Sequence, residues 1–192
     1  MKKDIILAST SPYRKELLER LQIPFISRDP EIDEDLLKKK ISDPEELASG
    51  LAELKAKNAL KNENELTIGS DQVLNLEGEI LGKPGNREKA IEQLLKMQGK
   101  EHTLITAVCV TDSFRTKAFM SKAHMKMRIL DKDSITRYVE RDTPFNCAGS
   151  YKLESLGISL FESINVDDAT GIVGLPLVKL SEFLRQWGYN IP

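Results

Sequence analysis

Hydroxyl groups beside an arginine, isolated lysines and carboxylates at the ends of apolar runs are the residues here that could do chemistry. The stretch IILASTSPYRKELLERL sets Ser9, Ser11 and Arg14 where an apolar run becomes an amphipathic pattern. Hydroxyls, free amides at a helix N-terminus and a guanidinium together can hold phosphate. The same residues also describe a well-capped strand-to-helix junction with a solvated arginine. TIGSDQV puts Asp71 just past the end of a buried strand. A carboxylate there can bind Mg²⁺ or take a proton from water, and it can equally cap a turn. Lys83 in LGKPGN, and Lys55 and Lys57 in LAELKAKNAL, read singly as solvated surface charges. NCAGSYKLESLG joins small residues to Lys152 and Glu154, as a close-approach loop or as a structural turn.

The elements that must position these residues alternate along the chain. Ile5–Ala8 is a short buried strand, and Ser11 with Pro12 starts a helix striped by Leu17, Leu18 and Leu21. IPFISRDPEIDED reads as an extended segment and an acidic loop. Asp43 and Pro44 open a long helix with a stripe of Leu47, Leu51, Leu54 and Leu60. LTIGSDQVLNLEGEILGKP is a strand and a hairpin turning at Glu77-Gly78, and Asn86 caps a helix to about Gln98. Two long strands follow with a turn near Asp112-Ser113, and alternation in KAHMKMRI gives the second a wet face. A short helix, a loop, a strand and a last helix after Pro176 complete the chain. The sum is an α/β fold: a mixed, twisted sheet flanked by helices.

Composition narrows the partners. The 192 residues are 40% hydrophobic and 30% charged, with 28 basic against 30 acidic side chains and a net charge of -2. No global basic field exists for a nucleic acid polymer, so an anionic partner must meet a local cluster. No apolar run approaches membrane-spanning length, and the one near Met1 is too short for a signal-peptide core. No membrane partner is expected, and the cytoplasm is the expected compartment. Cys109 and Cys147 with His102 and His124 form no zinc pattern, and no disulfide is expected.

Taken in order, LASTSPYR, EIDE, LKAKNA, GSDQV, GKP, TAV, CAGSYKLESLG and VGLPL closely resemble the Maf family of nucleoside triphosphate pyrophosphatases. The resemblance spans roughly Ile5 to Leu184. It implies one Maf-like domain over residues 1–192, two lobes around a deep nucleotide cleft, and hydrolysis of a nucleotide to its monophosphate and pyrophosphate. It implies a divalent metal, Mg²⁺ or Mn²⁺, and homodimers are common in such proteins. By resemblance, Ser9, Ser11 and Arg14 grip the triphosphate, Lys55 and Lys83 bind phosphate, Asp71 is the general base, and Glu34 in EIDE joins Asp71 at the metal.

Many Maf proteins read S-P-R-R, A-D-T and G-I-Q at three positions and act on dTTP and UTP. Here Tyr13, Gln72 and Glu154 stand at the corresponding places. That pattern resembles the branch acting on 7-methyl-GTP. N7-methylguanine is cationic, so Tyr13 offers stacking and cation–π attraction where an arginine would repel. The guanine edge presents two donors, which an ionised Glu154 can accept. Gln72 could meet O6 of the base or a ribose hydroxyl. The other readings are a dTTP/UTP pyrophosphatase and a nucleotide-binding regulator of septum formation.

Overall fold

The computed structural model describes residues 2–192. It is a mixed α/β fold whose seven-stranded sheet runs β2-β1-β3-β5-β6-β7, with β4 paired to β3. The strands are β1 (Asp4–Ala8), β2 (Phe25–Ser27), β3 (Glu65–Leu76), β4 (Glu79–Leu81), β5 (Glu101–Thr111), β6 (Thr116–Met127) and β7 (Phe161–Val166). The helices are α1 (Pro12–Glu19), α2 (Glu34–Lys38), α3 (Pro44–Ala59), α4 (Arg87–Met97), α5 (Lys132–Asp142), α6 (Ala169–Val173) and α7 (Leu177–Gln186). The chain forms two compact units. The first comprises residues up to Gln72, Thr106–Ser121 and Asp168–Pro192; the second comprises Val73–Ile105 and Lys122–Asp167.

In the first unit, β1 pairs in parallel with β2 on one side and β3 on the other, with Leu7 opposite Ser27 and Ala8 opposite Gly69. A strand with parallel neighbours on both sides is covered on both faces, which is why Ile5 to Ala8 are all buried. Leu17 and Leu18 of α1 join Ile5, Leu7, Leu180 and Leu184 in one core cluster. On α3 the buried face is Leu47, Ala48, Leu51, Ala52, Lys55, Ala56 and Ala59, so alanines rather than Leu54 complete the stripe. Those alanines let α3 lie directly on β3. A Cβ on Gly69 would stand 2.2 Å from Ala52 O and 2.6 Å from Ala56 N, so that approach requires glycine.

Arg28, just after β2, pins the start of β3. Its Nη1 and Nη2 donate to Glu65 Oε2 and Oε1, both at 2.8 Å. Lys61 N adds a bond of 2.9 Å and Asn62 Nδ2 one of 3.1 Å. The Arg28 fork outweighs burial and holds the Glu65 carboxyl down to about 2, against an ordinary 4.5. A carboxyl lowered in the folded state stabilises fully above its unfolded value, and that contribution is lost as pH falls through the folded one. Thermal melts from pH 4.5 down to about 2 should therefore fall more steeply for the wild type than for Glu65→Gln. Parallel curves would contradict this role.

In the second unit the β3–β4 hairpin turns at Glu77 and Gly78, with φ of 53° and 91° and Leu74 opposite Leu81. Two consecutive positive φ values match the right-handed twist of the strands they join. Burial alternates along β6 as expected: Ala123, Met125 and Met127 are buried, and Lys122 and His124 face water. Helices α4 and α5 pack together. His102 packs against the rings of Tyr151 and Phe161, which also meet edge to face, and burial pushes its pKa down to about 4. Both cysteines are free thiols, and burial raises Cys109 to about 11. Among the described residues no helix is long and apolar enough to cross a membrane.

Two expectations need correction. The acidic stretch after Pro30 contains a helix, α2, capped by Asp33. Asp71 lies within β3, not past its end. It is β1 that ends, opposite Gly69, so Asp71 stands just beyond the parallel pairing on a strand that runs on.

Candidate active site

The carboxyl end of β1 gathers most of the anticipated residues within the first unit. Ser9 is buried, and its Oγ accepts from Ser11 N at 3.1 Å. Ser11 caps α1 by accepting from Arg14 N at 3.5 Å. Pro12 has no N–H. Among the described residues the Tyr13 amide is thus the one donor of this helix end without a partner, fewer than the motif promised. Ser9 and Ser11 act here as acceptors, so each keeps its own O–H for a ligand. Tyr13 is half-buried at the start of α1.

Arg14 folds back to donate from Nε to Gly174 O at 3.0 Å. Burial lowers its pKa while the charges of Asp71 and Glu34 raise it. Its Nη atoms have no partner among the described residues.

The close packing of α3 on Gly69 carries Lys55 to Asp71. Lys55 and Asp71 are 7% and 8% exposed, so neither is the solvated group that its type alone implied. Lys55 Nζ lies 2.6 Å from Asp71 Oδ1 and 2.6 Å from Glu34 Oε1. Glu34 reaches it because Asn58 of α3 donates to Pro30 O, tying down the segment that leads to α2. Lys38, one turn on, reaches Glu34 Oε2 at 2.7 Å. Burial alone would raise the Glu34 carboxyl, but Lys38 and Lys55 outweigh it and bring it down to about 2. Arg14, Lys38 and Lys55 thus gather around Glu34 and Asp71, with Asp35 also near Lys38. Asp71 Oδ2 has no partner among the described residues.

Alternation along β3 separates Asp71 from its neighbours. Ser70 and Gln72 turn to the opposite face, toward the end of α6. Ser70 Oγ lies 2.9 Å from Gly174 O and 3.0 Å from Ala107 O. Gln72 Nε2 meets Thr106 Oγ1 at 2.9 Å, Gly171 O at 3.1 Å and Ile172 O at 2.9 Å. These acceptors occupy the amide nitrogen and leave Oε1 as the free end of the side chain.

Lys83 and Glu154 belong to the second unit, and both are exposed. Lys83 follows β4 in the stiff Gly82–Pro84 loop, and neither residue has a partner among the described ones. Lys152 is used internally: its N donates to Tyr138 Oη at 2.9 Å and its Nζ to Asp142 O at 2.7 Å. Sequence reasoning missed Lys38, although its i,i+4 spacing from Glu34 is a readable signal. It also gave VGLPL no task, although Gly174 holds Arg14.

The donor set fits a hard divalent cation. Two carboxylates already converge on a single cationic group, and all their donors are oxygen. Among the described residues no group of three or more His, Cys, Asp or Glu could hold a metal. Phosphate and water oxygens would have to complete the shell, as is usual for Mg²⁺ on nucleotides.

Residues 4–187 match the family described as Maf-like protein. The 7-methyl-GTP pyrophosphatase of Bdellovibrio bacteriovorus is 46% identical, over 95% of this chain and 96% of its own. That of Pseudomonas aeruginosa is 45% identical, over 98% and 99%. In fold, the chain is similar to the Staphylococcus aureus Ham1 protein, with a TM-score of 0.56 at 19% identity over 96% of this chain and 99% of that one. With a family match over nearly its whole length and relatives this similar, the chain belongs to the Maf family.

Proposed function

We propose that this protein hydrolyses 7-methyl-GTP to 7-methyl-GMP and pyrophosphate. The observation that carries the reading is Asp71, buried, held through Oδ1 by Lys55 and free at Oδ2, near Arg14. The relatives named 7-methyl-GTP pyrophosphatase support the substrate.

A triphosphate carries about four negative charges, and phosphoryl transfer passes through a loose transition state that needs clamping more than covalent attack. Arg14, with the hydroxyls of Ser9 and Ser11, meets the phosphates, and Lys55 and Lys83 add charge. Asp71 Oδ2 orients a water and accepts its proton as the water oxygen bonds to the α-phosphorus. The bond from that phosphorus to the bridging oxygen breaks, and pyrophosphate leaves with the electron pair. Glu34 and Asp71 would hold the divalent cation, which when bound supplies Lewis-acid neutralisation of phosphate charge.

For the base, Glu154 accepts from the guanine edge and Tyr13 stacks on the cationic ring. Gln72 offers only Oε1, an acceptor, so a ribose hydroxyl suits it and guanine O6 does not. Family likeness and composition support a cytoplasmic homodimer.

The test is product analysis with 7-methyl-GTP: pyrophosphate and 7-methyl-GMP should appear in equal amounts, without orthophosphate. EDTA should abolish turnover, and Mg²⁺ or Mn²⁺ should restore it. Orthophosphate as the first product would refute the reaction. Full activity after thorough chelation would refute the metal and the role given to Glu34.

A further inference from the structure

The segment after Asp168 has no part in the hydrolytic step, yet it touches two residues proposed to meet the substrate, Arg14 and Gln72. At the end of α6, Gly171, Ile172 and Gly174 present buried carbonyls to Thr106, Gln72, Ser70 and Arg14. Gly174 O faces both Arg14 Nε at 3.0 Å and Ser70 Oγ at 2.9 Å. Arg14 Nε–H gives Gly174 O a donor of its own, while the single Ser70 proton is shared between Gly174 O and Ala107 O. Gly174 has φ of 116°, where side chains are strained, and a Cβ there would lie 3.3 Å from Arg14 Nε and 3.7 Å from Nη2. The absent side chain is therefore what lets this carbonyl face the arginine.

We propose that Gly174 is a positioning residue for phosphate binding. Its carbonyl tethers Arg14 by Nε and leaves the paired Nη donors aimed outward, ready to fork onto two phosphate oxygens. A guanidinium ordered before the ligand arrives loses less side-chain freedom on binding. This role rests on the triphosphate reading of the site.

The experiment is calorimetric binding of inorganic tripolyphosphate to wild type, Gly174→Ala, Arg14→Ala and the double variant. Gly174→Ala should weaken binding on the order of 5- to 50-fold in the wild-type background and less than about twofold where Arg14 is already gone. Equal factors in both backgrounds would mean a merely structural effect and overturn the proposal, as would no effect in the wild type. A second measurement needs no glycine variant. In the ¹⁵N spectrum of the wild type, the Arg14 Nε–H, assigned by its loss in Arg14→Lys, should exchange with water more slowly than that of exposed Arg137. Equal exchange would overturn the tether. If Arg14→Ala leaves tripolyphosphate affinity unchanged, the triphosphate reading falls and this role with it. The additive outcome removes Gly174 alone.

Discussion

Asp71→Asn should lower kcat for pyrophosphate release by about 10²–10⁴, the usual cost of losing a general base. The substitution keeps the shape of the side chain and still lets Oδ1 accept from Lys55. It replaces Oδ2, the atom proposed to take the proton of the water, with an NH₂ group that cannot accept it. Nucleotide affinity should survive, with a slight gain as repulsion of the phosphates falls. Removing Lys55 instead would leave the buried Asp71 without its cation, a change that typically destabilises a fold by about 3–5 kcal/mol. The Asp71 variant is thus the cleaner probe of chemistry. It should melt near the wild type while turning over far more slowly. Near wild-type kcat at saturating metal would refute the assignment.

Much of this site is legible in the sequence, because its local devices are. Ser11 and Pro12 announce the start of α1, and four apolar residues before them announce β1. The environment of Lys55 is less visible. Leu51, Ala52, Ala56 and Ala59 surround it at helical spacing, which marks a buried face, but a lysine on such a face is rarely taken as buried. What buries it is α3 resting on Gly69, a contact between segments far apart in the chain. Asp71 shows the same limit. Its strand continues while the neighbour stops, and pairing between strands is not written in either one alone. Gly174 is harder still. A glycine in VGLPL reads as a helix terminator, which it is, with φ of 116° after α6. That its carbonyl seats Arg14, 160 residues away, is a tertiary fact.

The second large effect concerns the base. Glu154→Gln should lower kcat/KM for 7-methyl-GTP on the order of 10- to 100-fold, since a hydrogen bond to a charged group is worth about 1.5–3 kcal/mol. In the proposed role, the carboxylate would accept both donors of the guanine edge. A glutamine accepts one and sets its own donor against the other. Pyrimidine nucleotides should lose less, because their edges have mixed polarity. Tyr13→Ala should narrow the gap between 7-methyl-GTP and GTP if the proposed cation–π contact, worth about 0.5–2 kcal/mol, separates them.

The proposed substrate is tested most directly by kcat/KM of the wild-type protein for 7-methyl-GTP, GTP, dTTP and UTP, followed through pyrophosphate release. 7-methyl-GTP should rank first and GTP second, and both pyrimidine nucleotides should be poor. A preference for dTTP or UTP would contradict the proposed substrate.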